Sequence, residues 1–248
     1  MVWAQRSFSA SGVIFAASKK ILFTLLQSTS HPINKTIYLI RHGETDFNRL
    51  GIVQGSGVDT DLNETGKAQA SAFFNHYRHI PFDKIYISSL KRTHQTVQHF
   101  FELPVPFEVI PELNEINWGV IEGATPTPES SQLFSDMLEA WRNGHLDQCV
   151  HGGESPNELF ARQQQGLKKI MERTEERNIL ICMHGRAMRS FLSLLTGSPL
   201  AQMDQFGHSN VCLYILEYRD EAFHVVLNND TSHLNGLRQQ PKQAFHPK

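Results

Sequence analysis

Two histidines set the chemistry open to this chain. His42 lies in LIRHGETDFN, where an apolar run ends in Arg41, His42 and Gly43, and His184 lies in ILICMHGRAMR, where a second apolar run ends in His184 and Gly185. A neutral imidazole is a competent nucleophile when one ring nitrogen bears a lone pair and the other donates to a fixed acceptor. Glycine after each histidine permits close backbone approach, and Thr45 and Asn48 add short polar donors within the first loop. Arginines accompany both junctions, and a planar guanidinium engages two oxygens of one phosphate. Transfer of a phosphoryl group onto imidazole, and from there to water, is the reaction such a set could run.

That reaction needs donors aimed at the equatorial oxygens, because charge gathers there while the bonds to nucleophile and leaving group are loose. Arg41 and Arg92 form the expected clamp. Arg92 stands in SSLKRTHQT just past a strand, where a helix N-terminus also favours an anion. His184 is expected to stabilise the phosphoryl oxygens if the two strands are neighbours. An alkoxide leaving group needs a proton, and PELNEINWGVIEG offers Glu112, Glu115 and Glu122. Glu115 is the choice, held protonated near apolar Trp118 to act first as acid and then as base toward water. Arg186 and Arg189 have no assigned role, and Arg189, at helical spacing, is open to anchoring the loop or meeting an acid. Taken singly, each residue has a plainer reading as a backbone-bonded histidine, a surface arginine or a solvated acid. The thirteen histidines are scattered, with neither HExxH nor a compact His and Asp cluster, so no metal is expected. His76 and His79 read as an exposed helix end.

The elements that must position these residues follow from periodicity. Thr36 to Ile40 and Asn178 to Met183 are almost continuously apolar and β-rich, as central parallel strands covered on both faces would be. Between them the spacing predicts a helix from Glu64 to His79, a strand from Lys84 to Ser88, and a helix capped by Ser88 or Ser89. A short strand from Phe107 to Ile110 comes next. Pro126 and Pro128 are expected to interrupt regular structure before a helix from Leu133 to Arg142, in an acidic lid or side wall. There Phe134, Met137, Leu138 and Trp141 serve either lid or core. Ser155, Pro156 and Glu158 form a helix start for a run to Arg173. Gly197 and Pro199 end the helix after His184, and Val211 to Leu216 and Phe223 to Leu227 close the sheet. This is a βαβ rhythm and an α/β fold.

The 248 residues suit one such domain. A formal charge of -2 disfavours nucleic acid as the partner and leaves a small soluble substrate. Residues 102–158 hold eleven acids against the single base Arg142, so a pocket closed by that stretch offers few cations of its own to a polyphosphorylated ligand. Cys149, Cys182 and Cys212 lie far apart, which implies a reducing compartment and a cytoplasmic protein. Lys19 and Lys20 split the apolar start into runs too short to span a bilayer, so no stable membrane insertion is expected, although a targeting role for residues 1–30 stays open. The expected organisation is an extension at 1–33, a domain at 34–235 with its acidic lid at about 119–155, and a tail at 236–248. An edge strand offers a route to a homodimer.

Together, RHGET, SLxRTxQT after a strand, LNExxxG and HGxxxR resemble the histidine phosphatase superfamily, or phosphoglycerate mutase-like family, over roughly Lys35 to Leu227. The resemblance implies a three-layer α/β/α sandwich around a mostly parallel sheet, with no cofactor and no metal. It places phosphorylation on His42, phosphate binding on Arg41, Asn48 and Arg92, the acid or base on Glu115 and the second histidine on His184. Mutases of the family generally carry adjacent arginines in a longer stretch after the glutamate motif, and this chain has only Arg142 there. A histidine acid-type phosphatase, hydrolysing a small phosphomonoester, is therefore expected over a mutase. A phospho-ligand binding protein that keeps the pocket is the remaining alternative.

Overall fold

The computed structural model describes residues 34–237, so the expected extension at 1–33 and most of the expected tail lie outside the described residues. One six-stranded sheet organises the rest, in the order β3-β2-β4-β1-β5-β6. Strands β1 (Lys35–Arg41), β2 (Lys84–Ile87), β3 (Phe107–Val109) and β4 (Asn178–Met183) pair in parallel. Strands β5 (Leu213–Arg219) and β6 (Ala222–Asp230) add an antiparallel hairpin at one side. The sheet is thus mixed and mostly parallel.

Alternation along the central strands explains the layers. Ile179, Ile181 and Met183 of β4 join one apolar cluster, and Leu180 and Cys182 join another on the opposite face. Helices α2 (Glu64–Tyr77) and α3 (Lys91–Val97) supply Phe73 and Val97 to the second cluster. Helices α4 (Pro128–Arg142), α5 (Pro156–Met171) and α6 (Gly185–Thr196) supply Trp141, Leu167 and Phe191 to the first. The result is a three-layer α/β/α arrangement in which both central strands are buried on both faces. The short helix α1 (Asp46–Leu50) is built into the glycine-rich first loop by a Thr45 and Asn48 capping box, and Gly51 ends it at φ 70°.

Helix α5 starts as its residues dictate, with Ser155 at the cap, Pro156 first and Glu158 reaching back. Other boundaries differ for local reasons. Pro128 does not interrupt α4 but opens it, because Thr127 caps the turn and a proline at the first position sacrifices no helical hydrogen bond. Neither Ser88 nor Ser89 caps α3, whose cap residue is Leu90 with no side-chain cap. Ser88 is turned toward His184, and Asp59 takes the Lys91 N–H at 2.8 Å, so the anion at this helix start is supplied by the protein itself. Strand β5 begins at Leu213, after Val211 adopts φ 54°. Phe134, Met137, Leu138 and Trp141 pack on the core, with Trp141 stacked on Trp118 at 5.2 Å.

Candidate active site

Parallel pairing of β1 with β4 sets Arg41 beside Met183, so His42 and His184 leave the sheet at the same level. The His42 N–H donates to Met183 O at 2.9 Å, and the two imidazole centroids stand 5.2 Å apart. His42 is buried, and its Nδ1 lies 2.7 Å from Gly43 O. A carbonyl can only accept, so Nδ1 carries the proton and Nε2 keeps its lone pair. Burial first, and then the charges of Arg92 and Arg41, hold the His42 pKa well below the usual histidine value, partly opposed by the Gly43 carbonyl. Gly43 is required by the tight fold of this loop, since a Cβ there would stand 2.7 Å from Gly66 O.

The two arginines expected to form the clamp differ in their freedom. Arg41 donates from Nη1 to His208 O at 2.6 Å, and its buried Nε has no partner. Arg92 is wholly buried and donates to Val58 O at 2.7 Å, Gly55 O at 3.1 Å and His184 Nδ1 at 3.1 Å. Desolvation lowers its pKa to about 10, with Glu115 and Asp59 opposing, so it stays charged at neutral pH. The Arg92 bond fixes Nδ1 of His184 as an acceptor, which makes Nε2–H the donor to Ser88 Oγ at 2.8 Å. Both ring nitrogens of His184 are engaged, so contact with a phosphoryl oxygen exchanges one of these bonds. Burial and the neighbouring arginines and His42 depress the His184 pKa as well.

Thr45 Oγ1 accepts from Asn48 N at 3.2 Å and Gln54 Nε2 at 2.6 Å, which ties it to the loop scaffold. Asn48 Oδ1 accepts from Thr45 N at 3.3 Å and Asn210 Nδ2 at 3.1 Å, which leaves the Asn48 amide NH2 as its donor side. Asn210 also donates to His42 O at 3.0 Å, a bracing contact that sequence reasoning did not anticipate.

The structure separates the three acids. Glu112 pairs with Lys169, and Glu122 ties the Gly57 and Trp118 amides at 2.9 and 2.7 Å. Glu115 is buried, and its charge is felt by both Arg41 and Arg92. Its surroundings differ from the apolar setting expected beside Trp118. Oε1 accepts from Ile116 N at 2.9 Å and Ala187 N at 2.7 Å, and Oε2 accepts from Arg186 N at 3.0 Å.

Two further groups escaped the sequence reading. Arg162 of α5 grips the turn carrying Glu115 through the carbonyls of Glu112, Asn114 and Glu115, at 2.8, 2.9 and 3.0 Å, and pairs with Glu154. A polar cavity of about 390 Å³ lies against that turn; Ser56, Asn114, Asn117, Glu154 and Arg162 line it, but neither His42 nor His184 does. Asp204 gathers Arg142, Arg186 and Arg189, so cations from α6 join the one base of the acidic stretch.

A family model, the histidine phosphatase superfamily (branch 1), matches residues 37–231. The chain belongs to that superfamily. As a histidine phosphatase superfamily member it is 29% identical over 202 residues to the uncharacterized phosphatase PhoE of Bacillus subtilis, covering 81% of this chain and 97% of that protein. It is 30% identical over 212 residues to phosphoserine phosphatase 1 of Hydrogenobacter thermophilus, covering 84% and 99%. Among solved structures, Bacillus stearothermophilus YhfR superposes with a TM-score of 0.71 at 25% identity, covering 81% of this chain and 99% of that one.

Proposed function

We propose that this chain is a metal-independent, histidine acid-type phosphatase that hydrolyses a small phosphomonoester through a phosphohistidine at His42. The observation that carries the reading is the pinning of His42 Nδ1–H on Gly43 O, which leaves Nε2 neutral and lone-pair-bearing beside the charges of Arg41 and Arg92. In the first step Nε2 forms a bond to phosphorus, the ester P–O bond breaks, and the departing alkoxide takes the proton from Glu115. In the second, Glu115 receives a proton from water, the resulting oxygen bonds to phosphorus, and the P–N bond breaks to release phosphate. Arg41 through its unpartnered Nε, Arg92 and the Asn48 amide supply the donors to the transferring group, which is where charge develops. His184 orients Arg92 and shifts its bonding when a phosphoryl group arrives.

Membership in the family and the phosphatase names of the relatives support the reaction class. The three cysteines are unpaired, which supports a reducing, cytoplasmic setting. Among the described residues no helix is long and apolar enough to cross a membrane. The test is phosphate release from a panel of phosphomonoesters in EDTA, run beside His42→Ala. Release by the parent alone is the expected result. Activity that vanishes in chelator and returns only with a metal ion would overturn the proposal.

A further inference from the structure

Asn210 grips two residues of the first histidine loop with a single nitrogen. Its Nδ2 donates to His42 O at 3.0 Å and to Asn48 Oδ1 at 3.1 Å, so both amide hydrogens are committed. Backbone groups at the two ends fix which way each amide points. Thr45 N–H can only donate, so the Asn48 atom that it meets at 3.3 Å is Oδ1. His42 O can only accept, so the Asn210 atom facing it is Nδ2. With its oxygen shared between Thr45 and Asn210, Asn48 has its NH2 left to donate elsewhere.

The turn that presents Asn210 is held in a costly conformation. Val211 adopts φ 54°, a left-handed region that disfavours a β-branched side chain. Val211 is buried, and hydrogen bonds on both of its backbone groups keep it in place. Its N–H donates to Arg41 O at 3.2 Å, and its carbonyl accepts from His233 Nε2 at 3.0 Å. Cys212 N closes the turn on Ser209 O at 3.1 Å. The turn is thus pinned to Arg41, the residue just before His42, and β5 leaves from it in register with Ile40. Strain of this kind persists where the surroundings over-determine it, and it gathers at functional sites.

We propose that Asn210 is a positioning residue for phosphoryl transfer, one that holds the Asn48 oxygen away from the reacting phosphorus so that its NH2 faces the transferring group. The same nitrogen ties the His42 carbonyl into the brace, which couples the nucleophile's backbone to the donor beside it. Without Asn210 the Asn48 oxygen keeps only its Thr45 contact. The amide then turns more readily and sets an oxygen against the phosphoryl oxygens, which repels them where a donor is needed. The proposal rests on the phosphatase reading and adds to it a residue that acts through Asn48.

The test is a double-mutant cycle in the full chain, with Asn210→Leu, Asn48→Ala and the two combined. It reads kcat/KM for an alkyl phosphate and inhibition by orthovanadate, which mimics the transferring group. Asn210→Leu is expected to lower both kcat/KM and vanadate affinity about tenfold, the weight of one hydrogen bond to that group. In the Asn48→Ala background the same substitution is expected to cost less than about threefold, because the amide it orients is gone. A merely structural residue would cost the same factor in both backgrounds. Equal factors, or vanadate affinity untouched by Asn210→Leu, overturn the proposal. Asn210→Ser, with less bulk and one short donor, runs the same cycle where the leucine variant does not fold. If the parent hydrolyses no ester, the phosphatase reading fails. Calorimetric binding of inorganic phosphate across the same four proteins then decides the role of Asn210, with equal losses in the two backgrounds counting against it.

Discussion

Replacing Arg162 by methionine is expected to slow the reaction through Glu115 without touching the reacting atoms. The guanidinium donates to the carbonyls of Glu112, Asn114 and Glu115 at 2.8, 2.9 and 3.0 Å, and pairs with Glu154 at 2.6 Å. Methionine keeps much of the stem and loses every one of these bonds. Charge-assisted hydrogen bonds contribute about 1.5–3 kcal/mol each, but the released carbonyls and Glu154 are partly open to water and regain solvation. A net stability loss of about 2–4 kcal/mol follows. Glu115 keeps its amide partners while the carbonyl side of its turn is freed, and a displacement of about 1 Å costs roughly 10²-fold in rate. The assay compares kcat/KM for an alkyl phosphate, whose leaving oxygen needs the Glu115 proton, with that for nitrophenyl phosphate, whose leaving group departs as a stable anion. The alkyl ester is expected to lose far more, and Arg162→Lys is expected to recover part of the loss. Equal losses for the two esters, or full alkyl-ester activity in Arg162→Met, would refute the positioning argument.

Acid is expected to destabilise the fold through its buried histidines. His42, His184, His208 and His233 all have native pKa values below the unfolded value. The unfolded chain therefore binds more protons below about pH 6.5, and stability is present above that value and lost as pH falls toward the native pKa values. The loss is about 1 kcal/mol per histidine per pH unit, so urea midpoints at pH 5.5 are expected well below those at pH 7.5, whereas equal midpoints would contradict the buried neutral histidines. Gly43→Ala is expected to cost about 1–3 kcal/mol, because its Cβ meets a backbone oxygen, Gly66 O, at 2.7 Å. A wild-type melting curve would show the contact to be unimportant.

The histidine junctions were legible in the sequence because each is local: an apolar strand, then His and Gly. The α5 start was equally local, its cap, proline and returning glutamate lying within four consecutive residues. The start of α4 was misjudged because a proline both breaks a helix interior and favours a first turn, and only Thr127 ahead of Pro128 distinguishes the two. The missing site residues are those with distant partners. Asn210 reaches His42 across 168 residues, Arg162 reaches Glu115 across 47, and Arg142 reaches Asp204 across 62. Their residue types carry no sign of a partner until the sheet order and the turns after α6 bring them together. For Arg162 the available signal was Glu154, eight residues earlier in the same segment. The environment of Glu115 was misjudged for the same reason, since two of the three amides that hold it, those of Arg186 and Ala187, belong to α6.

Rapid quenching of the reaction, followed by intact-mass and peptide analysis under alkaline conditions, addresses the phosphohistidine most directly. A phosphoryl group that appears on His42 at the rate of turnover, is lost in acid and is absent from His42→Ala is the predicted result. Full turnover with no phosphorylated protein at any time, or phosphate found on another residue at a competent rate, would contradict His42 as the nucleophile.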